Sequence, residues 1–282
     1  MRVPSVVLVG VAIVQVAVGG GLGLGLFGLR RFGMSGVASG QLAAFTLGAI
    51  FLAWYLVSGR SRLQLNFKNF TFQRDMFLDI LKVGAVSCLS PLQTVLSIVI
   101  FTKILAGFGT VVLAGYGMGS RLEFLLVPIA FAFGTASIPM VGMAMGAGLV
   151  ARARRVAWTA AAAAAGIVVG LIGLTVAINP GLWVSLFTSD PGVTQAAHSY
   201  FHWSGPAFGF FGVGVCLYFS SQGAAKMLGP VLAGTIRLAL VAIGGWWLAA
   251  SGAPAWTLFA LVGMAMVIFG LSTILSVRLT RW

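Results

Sequence analysis

Long apolar runs carrying no charged residue recur along this chain, and they leave few folds open. The first of them, Pro4–Leu29, holds no charge at all. About twenty apolar residues cross the hydrocarbon core of a bilayer as a helix. On that measure there are eight candidate spans: roughly Pro4–Leu29, Gly33–Val57, Ile80–Leu105, Val111–Ala144, Val156–Ile178, Ala196–Ser221, Pro230–Ala250 and Trp256–Val277. Strands of a membrane barrel would alternate polar and apolar residues over about ten positions; these runs are apolar on every side. Only 7% of residues are charged and 60% are hydrophobic, where soluble domains carry about 25% charged residues. The expected fold is an all-α integral membrane protein of about eight transmembrane helices, a six-helix lobe preceded by a two-helix leader.

The formal charge of +13 could suggest nucleic acid, but the basic residues stand in short clusters between spans. That is the pattern of the positive-inside rule, so the expected partner is membrane lipid and no nucleic acid. With eight spans both termini share a side. Arg2, Arg60, Arg62, Lys68, Arg74, Arg152, Arg154, Arg155, Lys226, Arg278 and Arg281 fall there, eleven against the three of Arg30, Arg31 and Lys103. Both termini are therefore expected in the cytoplasm, in a multi-pass protein of the cell membrane. The one long polar connection, about residues 58–79, alternates aromatic and polar residues. It reads as a cytoplasmic linker at the lipid interface, with Phe67, Phe70 and Phe72 dipping inward. It separates residues 1–57, the two-helix leader, from residues 80–282, the six-helix lobe.

Several motifs reduce to packing. Gly23–Gly28 matches GxGxxG by letter, but a dinucleotide site needs a preceding strand and an acid about twenty residues on, and the nearest acid downstream is Asp75. The run Gly19–Gly28 reads as close helix packing or a bend, and Gly166 with Gly170 as a small-residue contact. Cys88 and Cys216, in apolar stretches without CxxC, read as small buried hydrophobes. His198 and His202 share a helix face, yet no third ligand completes a metal set. They sit among Tyr200, Phe201 and Trp203, where an aromatic belt is expected. No catalytic serine set, carboxylate pair or phosphate loop stands in a plausible context, so no enzymatic role, metal or cofactor is expected.

Glu123 is different. The chain has four acids; Asp75 and Asp79 lie beside the basic linker, and Asp190 lies in a Pro-bounded turn. Glu123 sits inside an apolar run, where a carboxylate costs on the order of 3 kcal/mol at mid-bilayer unless it meets water, a cation or a partner. If its helix starts near Val111, Glu123 is about 18 Å along it, at 1.5 Å per residue. If the helix starts near Ser120, Arg121 and Glu123 are interface anchors. Gly115, Gly117 and Gly119 weaken a straight helix there and would let backbone line a cavity. Arg121 is two residues from Glu123 and should point elsewhere. Pro128 and Pro139 interrupt the same span and are expected to kink it. Arg237, seven residues into its own span, either snorkels to the interface or faces an internal cavity.

A set of segments gives the chain a family likeness. Gly107–Thr110, then Leu113–Glu123 with Pro128, resembles the start of the eighth helix of the MATE (multidrug and toxic compound extrusion) family. Gly134–Gly142, followed by Gly146–Gly148 and Arg152–Arg154, resembles that helix's cytoplasmic exit. Leu186–Asp190 resembles the loop before the tenth helix; Ser221–Gly223, Pro230 and Arg237 resemble the junction into the eleventh. The order holds from about Lys82 to the C-terminus. The resemblance implies a transporter whose two six-helix lobes rock around a central cavity, exchanging cationic amphiphiles for H+ or Na+. Residues from Lys82 on would be the C-terminal lobe, and Met1–Val57 the last two helices of the N-terminal lobe. Two departures stand out: the first four helices, with an acid many members use for coupling, are absent. Thr135, Met143 and Ala144 also replace the Gln and Gln-Asn common at the eighth-helix exit.

On this reading the cation and substrate candidates are Glu123, Arg121, Tyr116, Gln93 and Arg237. Protonating Glu123, or pairing it with a cationic substrate, removes a charge penalty and can couple two fluxes. One alternative is a lipid-linked sugar flippase, whose cavity would want several arginines for a pyrophosphate. Another is a non-transporting subunit that needs a second chain to supply the facing wall.

Overall fold

The computed structural model describes residues 2–25, 31–59 and 73–280. Among these, every regular element is helical, as hydrocarbon demands of a backbone that finds no water there. The linker residues 60–72, with Phe67, Phe70 and Phe72, lie outside the described residues, as does Arg30. Contacts divide the chain into two units, Met1–Gln73 and Arg74–Trp282.

In the first unit, α1 (Arg2–Leu24) and α2 (Met34–Val57) form a hairpin. Lipid offers apolar side chains no drive to associate, so helices that meet in it do so by close backbone approach. The buried residues of α2 are Gly36, Gly40, Ala44 and Gly48, one every four positions along a single face. A Cβ at Gly40 would collide with the backbone of Gly19, and one at Gly36 would stand 2.7 Å from the Leu22 carbonyl. The packing expected of the glycines near the end of α1 is therefore present, at Gly19 and Gly23. The small-residue ridge on α2 receives them.

The second unit opens with α3 (Arg74–Ala106), so Arg74–Asp79 are helical where a linker was expected. Asp75 in its first turn complements the positive end of the helix dipole. There follow α4 (Thr110–Gly146), then α5 (Val150–Ala160) running through a π-helical segment (Ala161–Val169) into α6 (Gly170–Ile178). After the short α7 (Gly181–Val184) come α8 (Pro191–Ser204), a 3₁₀ turn (Gly205–Ala207) and α9 (Phe208–Gly223). A second π segment (Leu240–Gly244) joins α10 (Leu228–Ala239) to α11 (Gly245–Ala250), and α12 (Ala255–Leu279) completes the unit.

Seven helices among the described residues are long and apolar enough to cross a membrane. The eighth expected span is present as α8 and α9, broken at the turn holding Pro206, which has no N–H to continue a helix. Gly205 in that turn lies so close to Gly173 and Ala177 of α6 that a Cβ would stand 2.7 Å from each. Asp190 caps α8, its carboxylate accepting from the Val193 N–H at 2.8 Å.

α4 packs on α8 and α9, α12 on α8, α9 and α10, and α3 on α10. Phe101, Tyr200, Phe201, Phe208 and Phe259 are fully buried among them. Gly166 and Gly170 serve packing, as expected: a Cβ on Gly170 would stand 3.5 Å from the Gly209 Cα of α9. Ser137 and Ser220 share a buried hydrogen bond between α4 and α9 at 2.8 Å. Of the two cysteines, Cys216 is buried but Cys88 is exposed, against the expectation of two buried thiols. Its side chain opens onto a cleft.

Candidate functional site

α4 begins at Thr110, thirteen residues before Glu123, which places the carboxylate about 20 Å along the helix at 1.5 Å per residue. The three glycines do not break it, because two of them are contact points. Gly115 receives Ala196 and Ala197 of α8, and Gly119 receives the Tyr200 ring. Only Gly117 faces open space. Tyr116, Gly119 and Glu123 recur at helical spacing along one face, so the missing side chain at 119 lets Tyr200 lie against α4. Its hydroxyl donates to Glu123 Oε1 one turn further on. Tyr200 is held on edge by Tyr116, Phe201 and Phe259, with ring centroids 5.6, 5.5 and 5.4 Å away.

Two small pockets flank the carboxylate. One, lined by Glu123, Tyr116, Ser97 and Arg237, leaves about 20 Å³ in which the centre of a water can move, enough for about one water. The other is apolar and lies against Val169, Phe208 and Gly212.

A larger cleft of about 660 Å³ opens on the far side of Arg237, within the range of small-molecule sites. Ser87, Ser90 and Gln93 of α3 form one wall; Phe131, Phe219 and Tyr218 contribute to the other. Ser97 and Arg237 line both this cleft and the Glu123 pocket. The Arg237 guanidinium lies over the rings of Phe211 and Phe269, 4.8 and 5.8 Å from their centroids. Of the two readings left open for Arg237, the internal one holds.

The other candidates separate. Gln93 borders the cleft, but its amide donates to Thr235 Oγ1 at 2.8 Å, and its Oε1 is buried without a partner. It ties α3 to α10. Arg121 is exposed and lies over the Phe187 ring at 5.0 Å, away from Glu123 and outside the pockets described here. α4 runs through both Pro128 and Pro139; neither can bond the carbonyl four residues back, at Phe124 and Thr135. Among the described residues no group of three or more metal-ligating side chains forms, and His198 and His202 are both exposed. Tyr200, the hydrogen-bond donor to Glu123, went unnoticed in the sequence as a site residue. So did Ser97 and the Phe211–Phe269 seat of Arg237.

No curated protein matches the chain. Among solved structures it is similar to a MOP superfamily transporter from Pyrococcus furiosus, described as having a binding pocket of reverse polarity: TM-score 0.86 and 16% identity over 97% of this chain and 61% of that one. It is similar also to the MATE transporter VcmN of Vibrio cholerae, at TM-score 0.84 and 21% identity over 98% and 61%. A third is an outward-facing multidrug resistance MATE family transporter, at 0.81 and 17% over 96% and 60%. The chain thus spans about three fifths of the length of these relatives, and at such identities the likeness is one of fold. The MatE family model matches residues 87–247, more than half of the 282. On that match, the chain belongs to the MatE family.

Proposed function

We propose that the protein is a cation-coupled secondary transporter of amphiphilic compounds in the cytoplasmic membrane, with both termini cytoplasmic and Glu123 holding the coupling ion. The observation that carries this is the setting of Glu123: a carboxylate deep in a membrane helix, hydrogen-bonded to Tyr200 and opening on a pocket the size of one water. A carboxylate in hydrocarbon is costly, and a bound cation removes the cost. That difference in free energy can bias one conformation over another.

The pocket suits a proton better than a sodium ion. Only Glu123, Tyr116 and Ser97 offer side-chain oxygen there, and the Arg237 guanidinium lines the same space and repels a second fixed cation. A proton needs no shell of ligands. The family likeness further implies antiport of a cationic cargo; such a cargo would have to draw its counter-charge from Glu123, since the larger cleft offers none. The flippase alternative asks for several arginines, and the cleft presents Arg237 alone. A second chain completing the facing wall is compatible with the same coupling site.

The test is flux in liposomes holding the reconstituted protein, with a pH gradient or a sodium gradient imposed. Ethidium and 4-(1-pyrene)butyrate serve as cationic and anionic cargo probes. Wild type should move one probe in response to the pH gradient, and Glu123→Gln should abolish that response while folding normally. Undiminished pH-driven flux in Glu123→Gln would overturn the assignment. Flux driven by sodium alone would replace the proton.

A further inference from the structure

We infer that the 660 Å³ cleft binds an amphiphile with an anionic head group, seated on Arg237, and not a cationic one. The inference rests on the reading of the cleft as the cargo site. Its warrant is the charge of the lining. None of the described residues bordering the cleft is acidic, and Arg237 is the one charged side chain among them. Among the described residues no hydrogen bond or close ion pair joins Arg237; its guanidinium lies on the two phenylalanine rings and shares the small pocket with Glu123. A guanidinium inside a membrane lobe normally has its donors met by an acceptor or a carboxylate. Here the planar fork is held flat on Phe211 and Phe269. That seat fixes its orientation and leaves its edge to pair in bidentate fashion with a carboxylate, sulfonate or phosphate.

The rest of the cleft fits the body of such a ligand. Phe131 and Phe219 pack edge to face at 4.8 Å and offer an apolar wall. Ser87, Ser90 and Thr94 face the opposite side. A cation entering this space would meet Arg237 as the one charge on the described lining. Two of the aromatic rings that could compensate, Phe211 and Phe269, already carry the guanidinium.

The wall between the two pockets adds a consequence. Arg237 stands between the cleft and Glu123, so a charged Glu123 competes with the ligand for the same guanidinium. Neutralising Glu123 with a proton releases Arg237 to the anion. Coupling ion and cargo then favour each other by linkage, in contrast to the mutual displacement that exchange for a cationic cargo requires.

Cys88 provides a local reporter, being exposed on the cleft while the other cysteine, Cys216, is buried. The matched probes are 4-(1-pyrene)butyrate and 4-(1-pyrene)butylammonium, with one aromatic body and opposite head groups. The readout is protection of Cys88 from a maleimide, with the protein in phosphatidylcholine nanodiscs. Pyrenebutyrate should protect Cys88 at concentrations at least tenfold lower than the ammonium probe. Arg237→Gln should erase that preference, Arg237→Lys should keep part of it, and Glu123→Gln should tighten pyrenebutyrate binding several-fold. Stronger protection by the ammonium, or a preference unchanged in Arg237→Gln, overturns the anionic assignment alone. Protection by neither probe overturns the cleft as cargo site and this inference with it, while leaving the Glu123 flux test to decide coupling. Displacement of pyrenebutyrate by added phosphatidylglycerol assigns the anion to a lipid phosphate and overturns a solute cargo.

Discussion

Replacing Gly119 by alanine tests the contact on which the Glu123 site is built. A Cβ at 119 would fall against the Tyr200 ring, 2.9 Å from Cζ and closer still to the atoms on its near edge. Carbon atoms prefer about 3.5–4.0 Å, so the near edge of the ring has to retreat by more than about one ångström. It has nowhere to go: Tyr200 is 0% exposed and boxed by Tyr116, Phe201 and Phe259. Overpacking of this kind costs about 1–3 kcal/mol. Moving the hydroxyl off Glu123 forfeits a hydrogen bond worth about 0.6–1.7 kcal/mol in membrane proteins. Against these stands the better helix propensity of alanine, about 0.8–1.0 kcal/mol. The net expectation for Gly119→Ala is a loss of about 1–4 kcal/mol. Gly117→Ala, two residues away with nothing within 4 Å of its added methyl, should gain about the propensity term. Equilibrium unfolding in mixed detergent micelles measures both, and a Gly119→Ala/Tyr200→Ala double-mutant cycle isolates the contact. Equal stability of the two alanine variants would refute the packing argument and, with it, the reason Tyr200 reaches Glu123.

Two further expectations concern the scaffold. Gly40→Ala sets a methyl against backbone, where no side chain can rotate away. It should splay the α1–α2 hairpin and lower its resistance to detergent unfolding by at least the 1–3 kcal/mol of overpacking, whereas Gly20→Ala, in open space, should not. The Arg154 guanidinium donates to the carbonyls of Val277, Arg278 and Thr280 at 3.2, 3.1 and 3.0 Å, which closes the C-terminal end of α12. Arg154→Gln should speed amide exchange in the last turn of α12 without changing it at Leu258–Val262, and exchange measured by mass spectrometry decides this.

The spans could be read from the chain because hydrocarbon imposes a length and forbids charge, and Pro4–Leu29 or Trp256–Val277 obey both rules without ambiguity. Legibility fell where a local rule met a tertiary partner. Gly115, Gly117 and Gly119 argue against a helix by propensity, yet α4 runs through them: Ala196 and Ala197 fill the space at Gly115 and Tyr200 that at Gly119, while Gly117 faces open space. Glu123 stood out as a lone acid in an apolar run, but its donor lies 77 residues away on another helix and has no signature in sequence. Arg121 had the same neighbours in sequence and went elsewhere, onto Phe187, because two residues of helix turn a side chain well off its neighbour's face. Arg237 gave an even choice between snorkelling and burial; the rings that decide it come from α9 and α12.

The two π-helical stretches carry a mechanical consequence. Val169, which ends the first, lines one pocket beside Glu123, and Val241, within the second, lines the other. A wide turn holds one residue more than an ordinary one, and such turns gather at working parts of helices. Letting one relax into α geometry would swivel the downstream half of its span by about 100°, one residue's worth of rotation, while each amide still finds a carbonyl. In oil, where a broken backbone bond is prohibitive, that is a way for a spanning helix to re-aim its side chains around a buried charge without coming apart.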